Sequence, residues 1–317
     1  MNEYDVVVVG GGAAGLSAAL VLSRARRRVA VVDAGTPRNA PAAEMHGFLG
    51  WDGAPPVRLL EHGRAEVASY GGSVIQGTVA DIATDTTPNA EGAPRLEVRL
   101  TSGQSLRARR VLVSTGLRDE VPDIPGVHER WGRDLLHCPY CHGYEVRDQP
   151  LGVLGGTPDA VQLALLVRQW SSDVVFFAHT STPTDQEREQ LRARAIGVVD
   201  GPVARLVVDS DQLSGVELKT GQVVPRAAVF VRPRFVPNSG LLIQAGCATD
   251  DDGWVLADSV GRTSAAGIWV AGNVANPRAQ LVTAAGEGSA AAIAINADLV
   301  DEDTATAVDN ARRALPL

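Results

Sequence analysis

Lysine is almost missing from this chain of 317 residues. Lys219 is the single one, and arginine supplies the rest of the 29 basic residues. Against them stand 37 acids, for a net charge of −8. That balance argues against nucleic acid or an anionic membrane as the main partner, because each demands a cationic face. Cysteine is scarce as well: three residues cannot make a disulfide scaffold. No apolar run approaches the ~18 residues of a membrane span. The first strand-like run begins by Tyr4, which leaves no room for a leader with charged and apolar regions. A cytoplasmic location is therefore expected, without nucleic acid or membrane as partner.

What is present is a set of nucleotide-binding patterns. The length suggests two domains, at roughly 100–200 residues each. Residues 4–9 form a continuous apolar run, as a parallel strand buried on both faces requires. A glycine turn, a helix over 13–24 with apolar residues at helical spacing, and a second apolar strand at 28–33 complete a βαβ unit. Pro55 and Pro56 open a helix running to about Ser69. Alternating stretches at 79–83, 96–100 and 105–108 read as an antiparallel meander, with turns at 86–94 and Ser102-Gly103. Another strand is expected at 110–114. Prolines 122 and 125 mark a linker. A second βαβ follows, with strand 151–154, helix 159–170 and strand 173–178. Beyond it lie a charged helix near 185–195 and strands at 206–209, 216–219 and 228–231. A strand at 267–271 and a small-residue helix at 280–299 return to the first pattern. The fold class is α/β: two Rossmann-like three-layer nucleotide-binding domains, the second inserted into the first. The first domain covers 1–117 and 238–317, and the second covers 118–237.

The first turn reads Gly10-Gly11-Gly12-Ala13-Ala14-Gly15 between strand and helix, which is the context the dinucleotide fingerprint requires. Gly10 allows the tight turn, Gly12 admits the pyrophosphate, and Gly15 lets helix and strand pack closely. The helix N-terminus offers N–H groups and a positive dipole end. Asp33 ends the second strand, where an acid binds a ribose hydroxyl. By itself this pattern does not separate FAD from NAD.

The chemical centre is His137-Cys138-Pro139-Tyr140-Cys141-His142. Two cysteines separated by two residues can close a small disulfide or sit at a helix start, where a thiol pKa falls. A structural disulfide has little use in the cytosol, so a redox pair is favoured. A metal site would draw on both histidines and both cysteines. Adjacent His and Cys side chains seldom converge on one ion, and no second CxxC exists; no metal is expected. Cys247 stands alone and reads as a small buried hydrophobe.

Taken together, the fingerprint, Thr115-Gly116, the internal CxxC and a late Gly272-Asn273-Val274 resemble the low-molecular-weight thioredoxin reductase family over nearly the whole chain. That resemblance implies FAD, held by Gly10, Gly12, Ala13, Ala14, Gly15, Asp33, Val79, Thr115, Gly116, Gly272, Asn273, Gln280 and Leu281. The family has aspartate where Asn273 stands, on the flavin ribityl chain. The segment from Gln280 resembles the one beside the isoalloxazine ring. By the same resemblance Cys141 lies nearest the flavin and Cys138 meets substrate. The family's acid/base aspartate after the second cysteine is His142 here, a residue that titrates near neutrality. The family also implies a homodimer.

The second turn departs from the family. It reads Gly155-Gly156-Thr157-Pro158-Asp159-Ala160. Thr157 replaces the glycine that admits phosphate, Pro158 removes an N–H, and Asp159 adds negative charge. The strand end at 177–183 lacks the arginine cluster that binds a 2′-phosphate, and also lacks the acid that suits NADH. NADPH binding is thus doubtful. This pattern resembles a subgroup, the FAD-dependent dithiol oxidases of dithiolopyrrolone and epidithiodiketopiperazine pathways. They close an intramolecular disulfide in a small-molecule dithiol and pass electrons to oxygen, giving hydrogen peroxide. In that subgroup His46 would be a second active-site base. Three rivals stand beside it: an NADPH-dependent thioredoxin reductase acting on thioredoxin, a ferredoxin-fed disulfide reductase, and a non-enzymatic metal or redox sensor.

Overall fold

The computed structural model describes residues 2–85, 95–157 and 159–314. The turn expected at 86–94 and the effect of Pro158 lie outside the described residues. The chain divides into two compact units: Met1–Arg38, Val57–Arg118 and Val236–Leu317 form one, and Asn39–Pro56 with Asp119–Phe235 form the other. Residues 39–56 cluster with the second unit, a division that a single boundary at 117/118 does not describe.

In the first unit, strand Asn2–Val9 pairs in parallel with Val29–Asp33 on one side and Ser105–Val113 on the other. Side chains alternate across a strand, so Val6 and Val8 face one core while Val7 and Val9 face another. The first core is covered by helix Ala13–Arg24 and helix Leu281–Ala314, which supply Leu16, Leu22, Ala291 and Ile295. The second core is covered by the meander, through Val79, Ile82, Leu96 and Val98. This is a three-layer arrangement of helices, parallel sheet and antiparallel sheet.

Two sequence expectations change here. The separate strands at 105–108 and 110–114 are one strand, Ser105–Val113. Its first half pairs antiparallel with Arg95–Leu100 and its last residues pair in parallel with Ile268–Val270. The arginines that looked like a break sit at the change of neighbour. There Arg109 reaches Asp5 and Glu302, and Arg110 reaches Asp298 and Glu302. The last helix also continues past 299 to Ala314. Apolar periodicity fades there, but Glu302 and Asp303 anchor the extension through Arg109. Strand Ser73–Gln76, which sequence did not mark, extends the sheet beside Val29–Asp33.

The second unit repeats the plan. Its parallel sheet runs in the order 197–199, 174–177, 151–154, 228–231, 135–136. Leu151, Val153, Phe176 and Phe230 face a core under helices Ala160–Val167 and Asp185–Ala193. Leu154, Phe177 and Val229 face a core shared with the antiparallel strands Val203–Asp209 and Gln212–Leu218. Helix Ala160–Val167 is shorter than the expected 159–170. The edge strand Leu135–Leu136 aligns with Val229 and Phe230 and delivers the chain to Cys138.

Candidate active site

The dinucleotide turn of the first unit is built as its sequence requires. Gly10 adopts φ +105°, and a Cβ there would lie 2.6 Å from the Ser114 carbonyl oxygen. A Cβ on Gly15 would lie 1.9 Å from the Gly10 oxygen. Gly12 is the N-cap of helix Ala13–Arg24, with Ala13 and Ala14 following. No side chain caps the helix, no acid lies in its first turn, and nothing occupies the 4 Å around a Cβ on Gly12. The cradle is open at the point where a pyrophosphate would meet the helix end, so these residues fit FAD. The Asp33 carboxylate accepts the Gly11 N–H at 3.2 Å, and its other oxygen lies 4.0 Å from Arg64. Asp33 and the glycine turn are thereby tied together.

The remaining flavin candidates sit in stapled turns of the same unit. Thr115 Oγ1 donates to the Asn238 carbonyl, and Asn238 Nδ2 donates back to the Thr115 carbonyl, both at 2.9 Å. The Asn238 N–H also reaches the Gly116 oxygen at 3.0 Å. Gly272 adopts φ +77°, and its N–H donates to Glu287 at 2.9 Å. Asn273 Nδ2 donates to the carbonyls of Asn276 and Ala279, each at 2.9 Å. Two carbonyl partners fix the amide's orientation and leave Oδ1 as an acceptor for a hydroxyl. Gln280 is exposed and Leu281 half-buried at the start of the last helix. Val79 is buried in the meander core, so what it offers a cofactor is main chain.

Sequence reasoning missed several supports. Ser114 Oγ donates to the carbonyls of Val9 and Gly10. Gly288 lets the last helix approach the first, since a Cβ there would lie 2.0 Å from the Ala14 oxygen. Neither has a local sequence signal beyond Ser114 ending a strand beside the glycine turn.

In the second unit Cys138 and Cys141 form a disulfide, with Cα atoms 5.2 Å apart. Cys138 is extended and precedes a single helical turn, Pro139–His142, with proline at its first position. The Cys138 carbonyl accepts the N–H groups of Cys141 and His142. Gly143 then closes against Trp170, whose indole would lie 2.9 Å from a Cβ on it. Tyr140 meets Trp170 edge-on at 5.6 Å, and His137 lies stacked on Trp131 at 5.7 Å. Tyr140 and Tyr144 remain exposed beside the disulfide.

Both candidate bases belong to this unit; Glu145 lies beside His46, and its charge acts on His142. Burial pushes the His142 imidazole below its ordinary value, the charge of Glu145 opposes this, and His46 adds to the lowering. His46 Nε2 lies 3.5 Å from Glu145 Oε1 and 3.7 Å from Glu44, while Nδ1 lies 3.4 Å from Asp52 Oδ1. The Gly47 N–H donates to Asp52 at 2.8 Å. That bond, with the one from His46, holds the Asp52 carboxyl below the usual carboxylate range. Among the described residues no group of three His, Cys, Asp or Glu side chains is arranged to hold a metal ion.

The second glycine turn, like the first, has its second glycine packed close to a side chain, Thr180 here and Asp33 there. A Cβ on Gly156 would lie 2.5 Å from Thr180 Oγ1. Thr157 Oγ1 is buried without a hydrogen-bond partner. Asp159, at φ 58°, heads the helix without capping it. His179 is turned to the backbone, its Nδ1 accepting the Val203 N–H at 3.0 Å. Burial, and then the charge of Lys219, push its imidazole down. No helix among the described residues is long and apolar enough to cross a membrane.

Comparison with known proteins bears on this site. The pyridine nucleotide-disulphide oxidoreductase family model matches residues 4–288. Thioredoxin reductase sirT of Leptosphaeria maculans is 29% identical, covering 95% of this chain and 96% of its own length. Thioredoxin reductase aclD of Aspergillus oryzae is 36% identical over 50% of this chain and 49% of its own. Among solved structures, HlmI superposes with a TM-score of 0.94 at 58% identity, covering 98% of this chain and 97% of that one. A putative thioredoxin reductase from Bacillus anthracis gives 0.87 at 35% identity, covering 95% and 99%. A family match from residue 4 to residue 288 settles the assignment: the chain belongs to the pyridine nucleotide-disulphide oxidoreductase family and is an FAD-dependent thiol–disulfide oxidoreductase of the thioredoxin reductase type.

Proposed function

We propose that this enzyme oxidises a small-molecule dithiol, of the natural-product kind, to its intramolecular disulfide, with oxygen as electron acceptor and hydrogen peroxide as product. The second glycine turn is the observation that carries this reading. Thr157 stands where the first turn has the open Gly12, Asp159 heads its helix, and His179 is committed to the Val203 backbone. A 2′-phosphate would meet no arginine along 177–183. The likeness to HlmI, sirT and aclD is consistent with this reading.

In the proposed mechanism one substrate thiolate attacks Cys138 Sγ, and Cys141 leaves as a thiolate. His142, kept neutral by burial, takes the proton from the second substrate thiol. That thiolate attacks the mixed disulfide, Cys138 leaves, and the cyclic disulfide departs. When bound, FAD supplies the two-electron acceptor that returns the cysteine pair to its disulfide, and oxygen is the terminal oxidant. The enzyme is proposed to act in the cytoplasm as a homodimer.

Anaerobic reduction of the holoenzyme tests the proposal. Bleaching of the flavin band by dithiothreitol and not by NADPH, with peroxide formed on readmitting air, is the expected result. Rapid bleaching by NADPH overturns it in favour of an NADPH-dependent thioredoxin reductase. Lys219, the cation acting on His179, is the observation that favours that second reading.

A further inference from the structure

Disulfide exchange moves protons as well as electrons. Each substrate S–H gives up its proton before its sulfur attacks. The two electrons left by forming the product S–S bond go to the Cys138–Cys141 pair, whose own S–S bond breaks. Side chains must hold or pass on the released protons until the cysteine pair is oxidised again, by the oxygen-coupled route proposed above. His142 accounts for one proton position beside the disulfide, and nothing in that role explains the carboxylates gathered around His46.

Those carboxylates are arranged in sequence. Glu145 lies three residues after His142, beyond the helical turn Pro139–His142, and its charge acts on the His142 imidazole. Its Oε1 faces Nε2 of His46 at 3.5 Å. On the far side of the same ring, Nδ1 faces Asp52 Oδ1 at 3.4 Å. Asp52 is in turn fixed by the Gly47 N–H at 2.8 Å and is two-thirds exposed. An imidazole with a carboxylate at each nitrogen can accept a proton at one and release one at the other. The loop is shaped for this: Met45 and Ala54 form a β-bridge that closes it, which brings His46 and Asp52 together at its base. Glu44 also faces His46, 3.7 Å from Nε2, and His142 interacts with His46 through charge.

We propose that Glu145 and Asp52 are positioning residues that join His142 and His46 into one proton path, running from the disulfide through Glu145 and His46 Nε2 to Nδ1, Asp52 and solvent. This rests on the dithiol-oxidase reading, because that reaction releases protons at Cys138. Neither carboxylate touches the cysteines. Distances of 3.4–3.5 Å are those of a resting site, and such contacts tighten when substrate binds.

The test uses the holoenzyme and dithiothreitol. Anaerobic flavin bleaching is followed by stopped flow from about pH 6 to about pH 9, the range spanning histidine and thiol ionisation, in wild type, Glu145→Gln, Asp52→Asn and Glu145→Asp. Both amide variants are near-isosteric changes at solvent-accessible side chains, so flavin content and melting temperature are expected to be unchanged. Bleaching is expected to slow by about 10-fold in each, a part of the usual contribution of general acid–base groups. The solvent deuterium isotope effect should rise. In Glu145→Gln the acid limb should move to lower pH, because a charge that raises the His142 pKa is gone. Glu145→Asp should recover part of the rate. Unchanged rates and pH profiles in both amide variants overturn the path, as does an equal loss at every pH with a lowered melting temperature. A wild-type enzyme that dithiothreitol does not bleach overturns the dithiol-oxidase reading instead, so the two failures are distinct.

Discussion

At the scale of single residues, chemistry follows from what each side chain can exchange. Cys138 is the sulfur proposed to meet substrate, so Cys138→Ser should abolish dithiol-dependent peroxide formation, measured by peroxide assay, while the flavin stays bound. His142 carries a pH prediction. Burial holds its pKa below the ordinary 6.5, so it stays a base to lower pH than a free histidine does. The dithiol-dependent kcat/KM should therefore fall with an acid-side midpoint below 6.5, and that limb should vanish in His142→Gln. Stability has the same sign. Below 6.5 the unfolded chain takes up a proton that the native histidine refuses, so stability falls with pH in the window beneath the ordinary value. Asn273 shows why a family aspartate can become an amide. Its NH2 serves two carbonyls, and a carboxylate would face both with no hydrogen to give. Asn273→Asp should lower stability by about 1–3 kcal/mol, the range for unsatisfied polar groups. Thermal melting and retained flavin would both report it.

At the scale of elements, what sequence shows depends on whether the signal is local. The glycine turn, helix Ala13–Arg24 and helix Pro56–Ser69 are legible because composition and periodicity agree within one window. Strand Ser105–Val113 is not, because its continuity comes from exchanging one neighbour for another at Arg109 and Arg110. Helix Leu281–Ala314 spans 34 residues, and its last part is anchored by arginines remote in sequence. Gly288 belongs to this scale too. Its missing side chain sets the separation of two helices, one of which presents the dinucleotide turn. In Gly288→Ala a Cβ would press on the Ala14 carbonyl at 2.0 Å, a backbone atom that cannot swing aside. The expected cost is about 1–3 kcal/mol, as for overpacked cores. It would be read as a lower melting temperature with reduced flavin content.

At the scale of the whole molecule, both units use one plan: a parallel sheet buried between helices and an antiparallel sheet. Neither glycine-turn helix carries a side-chain cap; they differ in that the first begins at the open Gly12 and the second at Asp159. A homodimer should appear in sedimentation or light scattering as a species of twice the chain mass of 33.2 kDa. Sequence by itself determined the dinucleotide turn, the Cys138–Cys141 pair, the α/β class and the departure of the second glycine turn from the first. Each is written in adjacent residues whose backbone or chemical demands are local. Tertiary structure alone decided that residues 39–56 pack with the disulfide-bearing unit, which sets His46 against Glu145. It also decided that Asn238 and Glu287 brace the turns at Thr115–Gly116 and Gly272–Asn273. These pairings join residues far apart in the chain, and their energy comes from hydrogen bonds and charges that exist only after the sheets and helices have packed.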